Sequence, residues 1–193
     1  MRKIGPPTLV TLAVAALAMS ASTFPAAGDD AAAVSHRSPV ALSLSADGKR
    51  LLTANQTAGT VSLVDTAARK VLDEVAVGDK PAGVAFAPDG RRAVVANWFG
   101  YDVAVLEVKD DELRVVGKVD VGPEPRGVVV HPDGRTAFVA VGVADEIARI
   151  DLNDLKVTGR LAVGREPRGL ALAPDGKTLV VGDARSRQVS VVD

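Results

Sequence analysis

Two arginines stand at matched places in a repeated tetrapeptide, Glu124-Pro125-Arg126-Gly127 and Glu166-Pro167-Arg168-Gly169. A guanidinium is a planar fork of donors, and two held side by side can grip a carboxylate or phosphate through paired hydrogen bonds. Arg126 and Arg168, with Glu124 and Glu166 beside them, are therefore candidate ligands for a small anion. The competing expectation is that each arginine pairs with its own glutamate and only solvates a rim, since exposed ion pairs contribute little. A second candidate is the run Trp98-Phe99-Gly100-Tyr101, which holds three of the six aromatic residues in the chain. Exposed, Trp98, Phe99 and Tyr101 would contact a partner, because rigid aromatics dominate interaction hot spots. Folded inward, they would plug a gap between packed sheets.

The remaining polar residues point away from catalysis. There is no cysteine, which excludes disulfides, thiolate chemistry and covalent attachment of c-type haem within these 193 residues. His131 precedes a Pro-Asp-Gly turn and reads as structural rather than as a ligand, and His36 has no partner in the sequence. Asp110, Asp111 and Glu112 lack the alternating spacing of a calcium loop and read as a solvated hairpin turn. No phosphate-binding glycine loop, nucleophile–histidine–acid set or metal-spaced histidine pair occurs, so no catalytic residue, metal ligand or cofactor is expected in this segment. A formal charge of −1 and few aromatics give no footprint for nucleic acid.

The elements that would position these residues are set by a repeat. Pro39, Pro81, Pro125 and Pro167 each stand nine residues before a glycine (Gly48, Gly90, Gly134, Gly176), and each glycine stands seventeen before an acid (Asp65, Glu107, Asp151, Asp193). The prolines recur at roughly 40–45 residues, a period that belongs to stacked supersecondary units. Within the second unit, Gly83–Ala87 is a short β run ended by Pro88-Asp89-Gly90, where proline presets the turn and glycine takes a positive φ. Arg92–Asn97, Asp102–Glu107 and Leu113–Val121 follow as three further strands, with a charged turn at Lys109–Glu112. Four short valine- and alanine-rich strands per unit predict the blades of an all-β propeller, buried on both faces. The units run 39–80, 81–124, 125–166 and 167–193, the last stopping after its third strand, so about 3.75 blades are present.

The segment from Met1 to Gly28 differs in kind. Arg2 and Lys3 precede an eleven-residue apolar run, Leu9–Met19, and then small residues. That run is too short to span a bilayer and has the pattern of a cleaved export signal, with cleavage after Ser20 or nearer Gly28. Residues 29–38 read as a loosely ordered leader. A periplasmic, cell-surface or extracellular location is expected, with no stable membrane span after cleavage.

The pattern Pro-x-Gly-Val-x-x-x-Pro-Asp-Gly-x-x-x-x-Val-x-Asn, then Val-Ser-Val-x-Asp, then Val-Gly, resembles the YVTN-type β-propeller repeats of exported bacterial and archaeal proteins. The Asn position is Asn55 and Asn97 here, but Val141 and Asp183 in the last two units. The resemblance covers Pro39 to Asp193 and implies a ring of about seven blades, of which this chain would be the N-terminal part. Related propellers serve as adhesive surfaces, binding scaffolds and frames of periplasmic redox enzymes. The leading expectation is an exported, non-catalytic propeller that binds a protein or a small anionic ligand. The alternative is the propeller front of a periplasmic c-type haem oxidoreductase whose cofactor domain lies beyond residue 193.

Overall fold

The structure, a computed structural model, describes residues 36–193. The segment expected to be an export signal and the first part of the expected leader lie outside the described residues. Blade 1 comprises β1 (Pro39–Leu44), β2 (Arg50–Asn55), β3 (Thr60–Asp65) and β4 (Lys70–Ala76). Blade 2 comprises β5 (Pro81–Phe86), β6 (Arg92–Asn97), β7 (Asp102–Lys109) and β8 (Glu112–Asp120). Blade 3 comprises β9 (Pro125–Val130), β10 (Thr136–Val141), β11 (Glu146–Asp151) and β12 (Lys156–Ala162). Blade 4 has three strands, β13 (Pro167–Leu172), β14 (Leu179–Asp183) and β15 (Gln188–Val192). Each sheet is an antiparallel meander in sequence order, and the first strands lie next to one another in the series β1, β5, β9, β13. This is propeller architecture, with the first strand of each blade innermost.

The turns form for the reasons their residues suggest. Asp47, Asp89, Asp133 and Asp175 each accept a hydrogen bond from the backbone N–H two residues on, at 2.8–3.0 Å. The glycine that follows takes a φ of +66 to +74°, which a Cβ would oppose. At the same end of the blades, Asp65 and Asp151 accept two backbone N–H groups each and pair with Arg50 and Arg135.

The charged turn of blade 2 differs from the sequence expectation. Lys109 and Glu112 are the last pair of the β7–β8 ladder, leaving a two-residue turn at Asp110-Asp111. Both aspartates have positive φ (51° and 66°), as a hairpin turn matched to strand twist requires. Nor is the turn merely solvated, because Arg50 of blade 1 reaches across to Asp111 at 2.6 Å. The end of the leader is likewise engaged with blade 1. The carbonyls of Arg37 and Ser38 accept from Thr57 and Gln56, and Arg37 pairs with Glu74 at 2.8 Å.

Packing between blades forms the core. Leu52, Leu63, Ala93, Val95 and Leu106 fill the space between blades 1 and 2, and all are fully buried. Val94, Val103, Val105, Val139 and Ile150 do the same between blades 2 and 3, and a smaller cluster around Ala140, Leu179 and Val181 joins blades 3 and 4. Short side chains suit this spacing, because both faces of each blade must approach a neighbouring sheet. Close approach is carried furthest at Gly83 and Gly127, where a Cβ would come nearer than 3.0 Å to the carbonyl oxygens of Arg126 and Arg168.

Several repeat acids also make stability depend on pH. The Asp154 amide and the Arg135 guanidinium hold Asp151 down at about 2, against an ordinary value of 3.8. The Ala68 amide lowers Asp65, and Arg168 lowers Glu166. For a group depressed in the folded state, the stabilisation is full above the unfolded-state value and disappears as pH falls through the folded-state value. The melting temperature should therefore be flat above about pH 5 and fall between about pH 4 and 2, by this linkage. Asp151→Asn should shallow that fall when followed by circular dichroism, and an unchanged acid limb would show that Asp151 takes no part.

Candidate functional site

One end of the blades collects the starts of the first and third strands and the ends of the second and fourth. The loops between β6 and β7, the links between blades and the entry prolines all gather there. This places Trp98, at the end of β6, beside the entry to β9 and Arg126, although the two lie far apart in the sequence.

The register of the innermost strands sets where the arginines point. Pairing between β9 and β10 runs Pro125 with Val141, then Val128 with Val139, and between β13 and β14 it skips Arg168. Arg126 and Arg168 thus sit in β-bulges, which turn a side chain out of the normal alternation. They occupy matching positions on neighbouring inner strands, as the repeat predicts.

Their surroundings differ. The Arg126 guanidinium carbon lies 4.4 Å from the centroid of the Trp98 ring, and its Nη2 reaches Glu124 Oε2 at 3.3 Å. Its side chain is 22% exposed. Arg168 is more open and is held by Glu166, which also pairs with Arg185 at 3.1 Å. The two Glu-Pro-Arg segments therefore make the local pairs that rim solvation would require. Among the described residues, Arg126 alone of the two arginines lies over an aromatic ring, that of Trp98.

The aromatic loop divides between the two expected roles. The Trp98 and Phe99 amides donate to the carbonyls of Lys80 and Asp79, which fastens the loop to the link before β5. Trp98 is half-buried beneath Arg126, and its ring lies 4.5 Å from Phe99. Phe99, with Lys80 Nζ 5.5 Å above its ring, is exposed, and so is Tyr101. Trp98 is part of the packing, while Phe99 and Tyr101 are presented outward.

Buried polar atoms at this end that lack a hydrogen-bond partner include Trp98 Nε1, Arg126 Nε and Asn97 Oδ1. Asn97 is fully buried, and its Nδ2 donates to Val77 O at 3.1 Å and Asp102 Oδ1 at 2.6 Å. A buried donor without an acceptor loses its solvation without replacement, a cost of about 1–3 kcal/mol. Two such donors belong to the stacked Trp98–Arg126 pair. Arg126 also lines a cleft of about 360 Å³ between blades 3 and 4. Arg165 and Arg185 line it too, together with Glu124, Asp145 and Glu166.

The remaining candidates are structural in their contacts. His131 Nδ1 accepts from the Asp133 amide at 3.1 Å, its ring meets Phe138 edge-on, and Gly176 of blade 4 abuts it. A larger cleft of about 970 Å³ lies at the opposite end, among the Asp89 and Asp133 turns. It is lined by the turn residues and ion pairs of the repeat, with no set of convergent catalytic groups. No cluster of His, Asp and Glu among the described residues is arranged to hold a metal ion.

The pairing of Arg126 with Trp98 was not anticipated from sequence, where the two were separate candidates. The signal was available: strand direction alone puts the end of every second strand beside the start of the next blade.

These features define an all-β protein of propeller blades. Residues 127–193 match the family described as lactonase, 7-bladed beta-propeller. Among solved structures, Kuenenia stuttgartiensis hydrazine synthase is 32% identical, with a TM-score of 0.75 over 81% of this chain and 46% of that one. A functionally unknown protein from Desulfotomaculum acetoxidans DSM 771 is 17% identical, with a TM-score of 0.69 over 80% of this chain and 55% of that one, and shows the fold alone. No curated protein sequence matches. The chain thus spans about half the length of the solved structures it resembles.

Proposed function

We propose that this chain is an exported, non-catalytic β-propeller of the YVTN-repeat kind, acting as a binding platform for a small oxyanion at the Trp98–Arg126 pair. The observation that carries this reading is the pair of buried, unpartnered donors, Trp98 Nε1 and Arg126 Nε, in one stacked unit. A carboxylate or phosphate oxygen supplies the acceptor that both lack, and the guanidinium supplies charge. Glu124 sets the orientation of the fork, and the exposed Phe99 and Tyr101 offer apolar area at the rim. Arg168, already engaged with Glu166, contributes long-range charge only.

Trp98 is the single tryptophan, so its fluorescence reports on the site directly. Titration with inorganic phosphate and with succinate should give a saturable change in Trp98 emission. Arg126→Ala should weaken binding by roughly 10–100-fold, the equivalent of a charge-assisted hydrogen bond, while Arg168→Ala should change it little. An emission change that survives Arg126→Ala undiminished would sink the proposal.

A second reading is favoured by the 32% identity to hydrazine synthase. In it, the chain is the propeller part of a periplasmic oxidoreductase, and any c-type haem is carried outside residues 1–193, which contain no cysteine. The mass and haem stain of the protein isolated from its host separate the two. A haem-free mass corresponding to residues 21–193 or 29–193 would retire the oxidoreductase reading and support export. A larger, haem-staining chain would favour it.

A further inference from the structure

Trp98 and Gly142 hold the same place in the repeat, each following the last residue of its blade's second strand. Their amides make the same tie, Trp98 to the Lys80 carbonyl at 2.9 Å and Gly142 to the Glu124 carbonyl at 3.0 Å. In blade 2 the indole fills the space beneath Arg126 of the next blade. Gly142 brings no side chain to the matching place, and it forms part of the wall of the cleft of about 360 Å³ between blades 3 and 4. That volume lies at the small end of the roughly 300–1,000 Å³ usual for ligand sites.

The charges that line the cleft are balanced in number but not in pairing. Arg126, Arg165 and Arg185 stand with Glu124, Asp145 and Glu166. Glu124 is taken by Arg126, and Glu166 by Arg168 and Arg185. Asp145 Oδ1 accepts from the Glu166 amide at 2.7 Å, but no described residue offers this carboxylate a cation. The Arg165 guanidinium likewise has no carboxylate partner among the described residues. The cleft thus keeps one uncompensated charge of each sign, besides the unpartnered Arg126 Nε. A simple anion would answer the arginines and set like charge against Asp145, whereas a ligand carrying both signs answers each. Val143, 60% exposed, adds an apolar wall.

We propose that this cleft binds a zwitterionic α-amino acid with an apolar side chain. The inference deepens the oxyanion reading and rests on it: the oxyanion taken at Arg126 is the carboxylate of the amino acid, and Arg165 adds to its attraction. The ammonium group donates to Asp145. The apolar side chain lies along Val143, in the space beside Gly142.

Calorimetric titration of the full chain with leucine tests this, beside isocaproate, which lacks the ammonium group, and isoamylamine, which lacks the carboxylate. Inorganic phosphate serves as the probe of Arg126 without the other contacts. Leucine should bind roughly tenfold or more tightly than either analogue, the worth of one charge-assisted hydrogen bond. Asp145→Asn keeps an acceptor for the Glu166 amide and should erase the advantage over isocaproate, with phosphate binding unchanged. Gly142→Trp, whose new Cβ would meet only Glu124, at 3.4 Å or more, should abolish leucine binding while the melting temperature holds. Leucine binding no tighter than that of isocaproate, or undiminished in Asp145→Asn or Arg126→Ala, would overturn the inference, and phosphate binding would leave the oxyanion reading standing. Absence of any Arg126-dependent binding, phosphate included, would overturn both.

Discussion

Gly127→Ala is expected to destabilise the protein by about 1–3 kcal/mol, the usual cost of forcing an extra group into a packed interior. The new methyl would come closer than 3.0 Å to the carbonyl oxygen of Arg168, a backbone atom with no rotamer to change. Relief therefore requires the inner strands β9 and β13 to part, which loosens the buried contacts of Ala140, Leu179 and Val181 behind them. At about 2–4 °C per kcal/mol for a domain of this size, the melting temperature should fall by roughly 5 °C. Gly83→Ala should act similarly between blades 2 and 3, since its new methyl would strike the Arg126 carbonyl. It should also disturb the Trp98–Arg126 pair, visible as a shift in Trp98 emission. Blade 1 has Ala41 at the matching position, so a blade entry can be spaced for a methyl where the backbone is set for it. Melting of Gly127→Ala within about a degree of the parent protein would show that β9 and β13 separate easily, contrary to this account.

Leu106→Ala should cost about 2–5 kcal/mol, the range for truncating a buried leucine and leaving a cavity. Leu106 is 0% exposed and packs among Leu52, Leu63, Ala93 and Leu113, where neighbours from two blades close around it. Those neighbours are held by their own ladders and cannot collapse far into the gap. Leu42→Ala is the internal comparison: the same chemical change at a side chain 64% exposed should alter monomer stability by less than about 0.5 kcal/mol. Urea midpoints at dilute protein, with unchanged m-values, would give both numbers. Equal costs at the two sites would mean that the blade 1–2 interface is not the core that its burial indicates.

Much of this fold was legible from the chain because the propeller repeats its local chemistry. The Asp-Gly turns at Asp47, Asp89, Asp133 and Asp175 depend on contacts two residues apart, and β6 begins and ends at the residues the pattern marks, Arg92 and Asn97. The β7–β8 turn was misjudged because tolerance of positive φ at Asp110 and Asp111 let the ladder run further than charge alone suggests. The Arg50–Asp111 pair joins residues on different blades, 61 positions apart, and no local pattern announces it.

The candidate site divides along the same line. Residue types were enough to single out Arg126 and Trp98, and the Glu-Pro-Arg spacing was enough to expect Arg168 to pair with Glu166. The amino-acid sequence by itself determined the blades, because turn geometry and two-sided burial are short-range requirements met within each unit of about forty residues. Only the tertiary structure decided that Arg126 lies over Trp98 and that both leave buried donors without acceptors. Those outcomes depend on the rotation and spacing of one blade on the next. Rotation and spacing are set by packing between side chains far apart in the chain, which no single unit encodes.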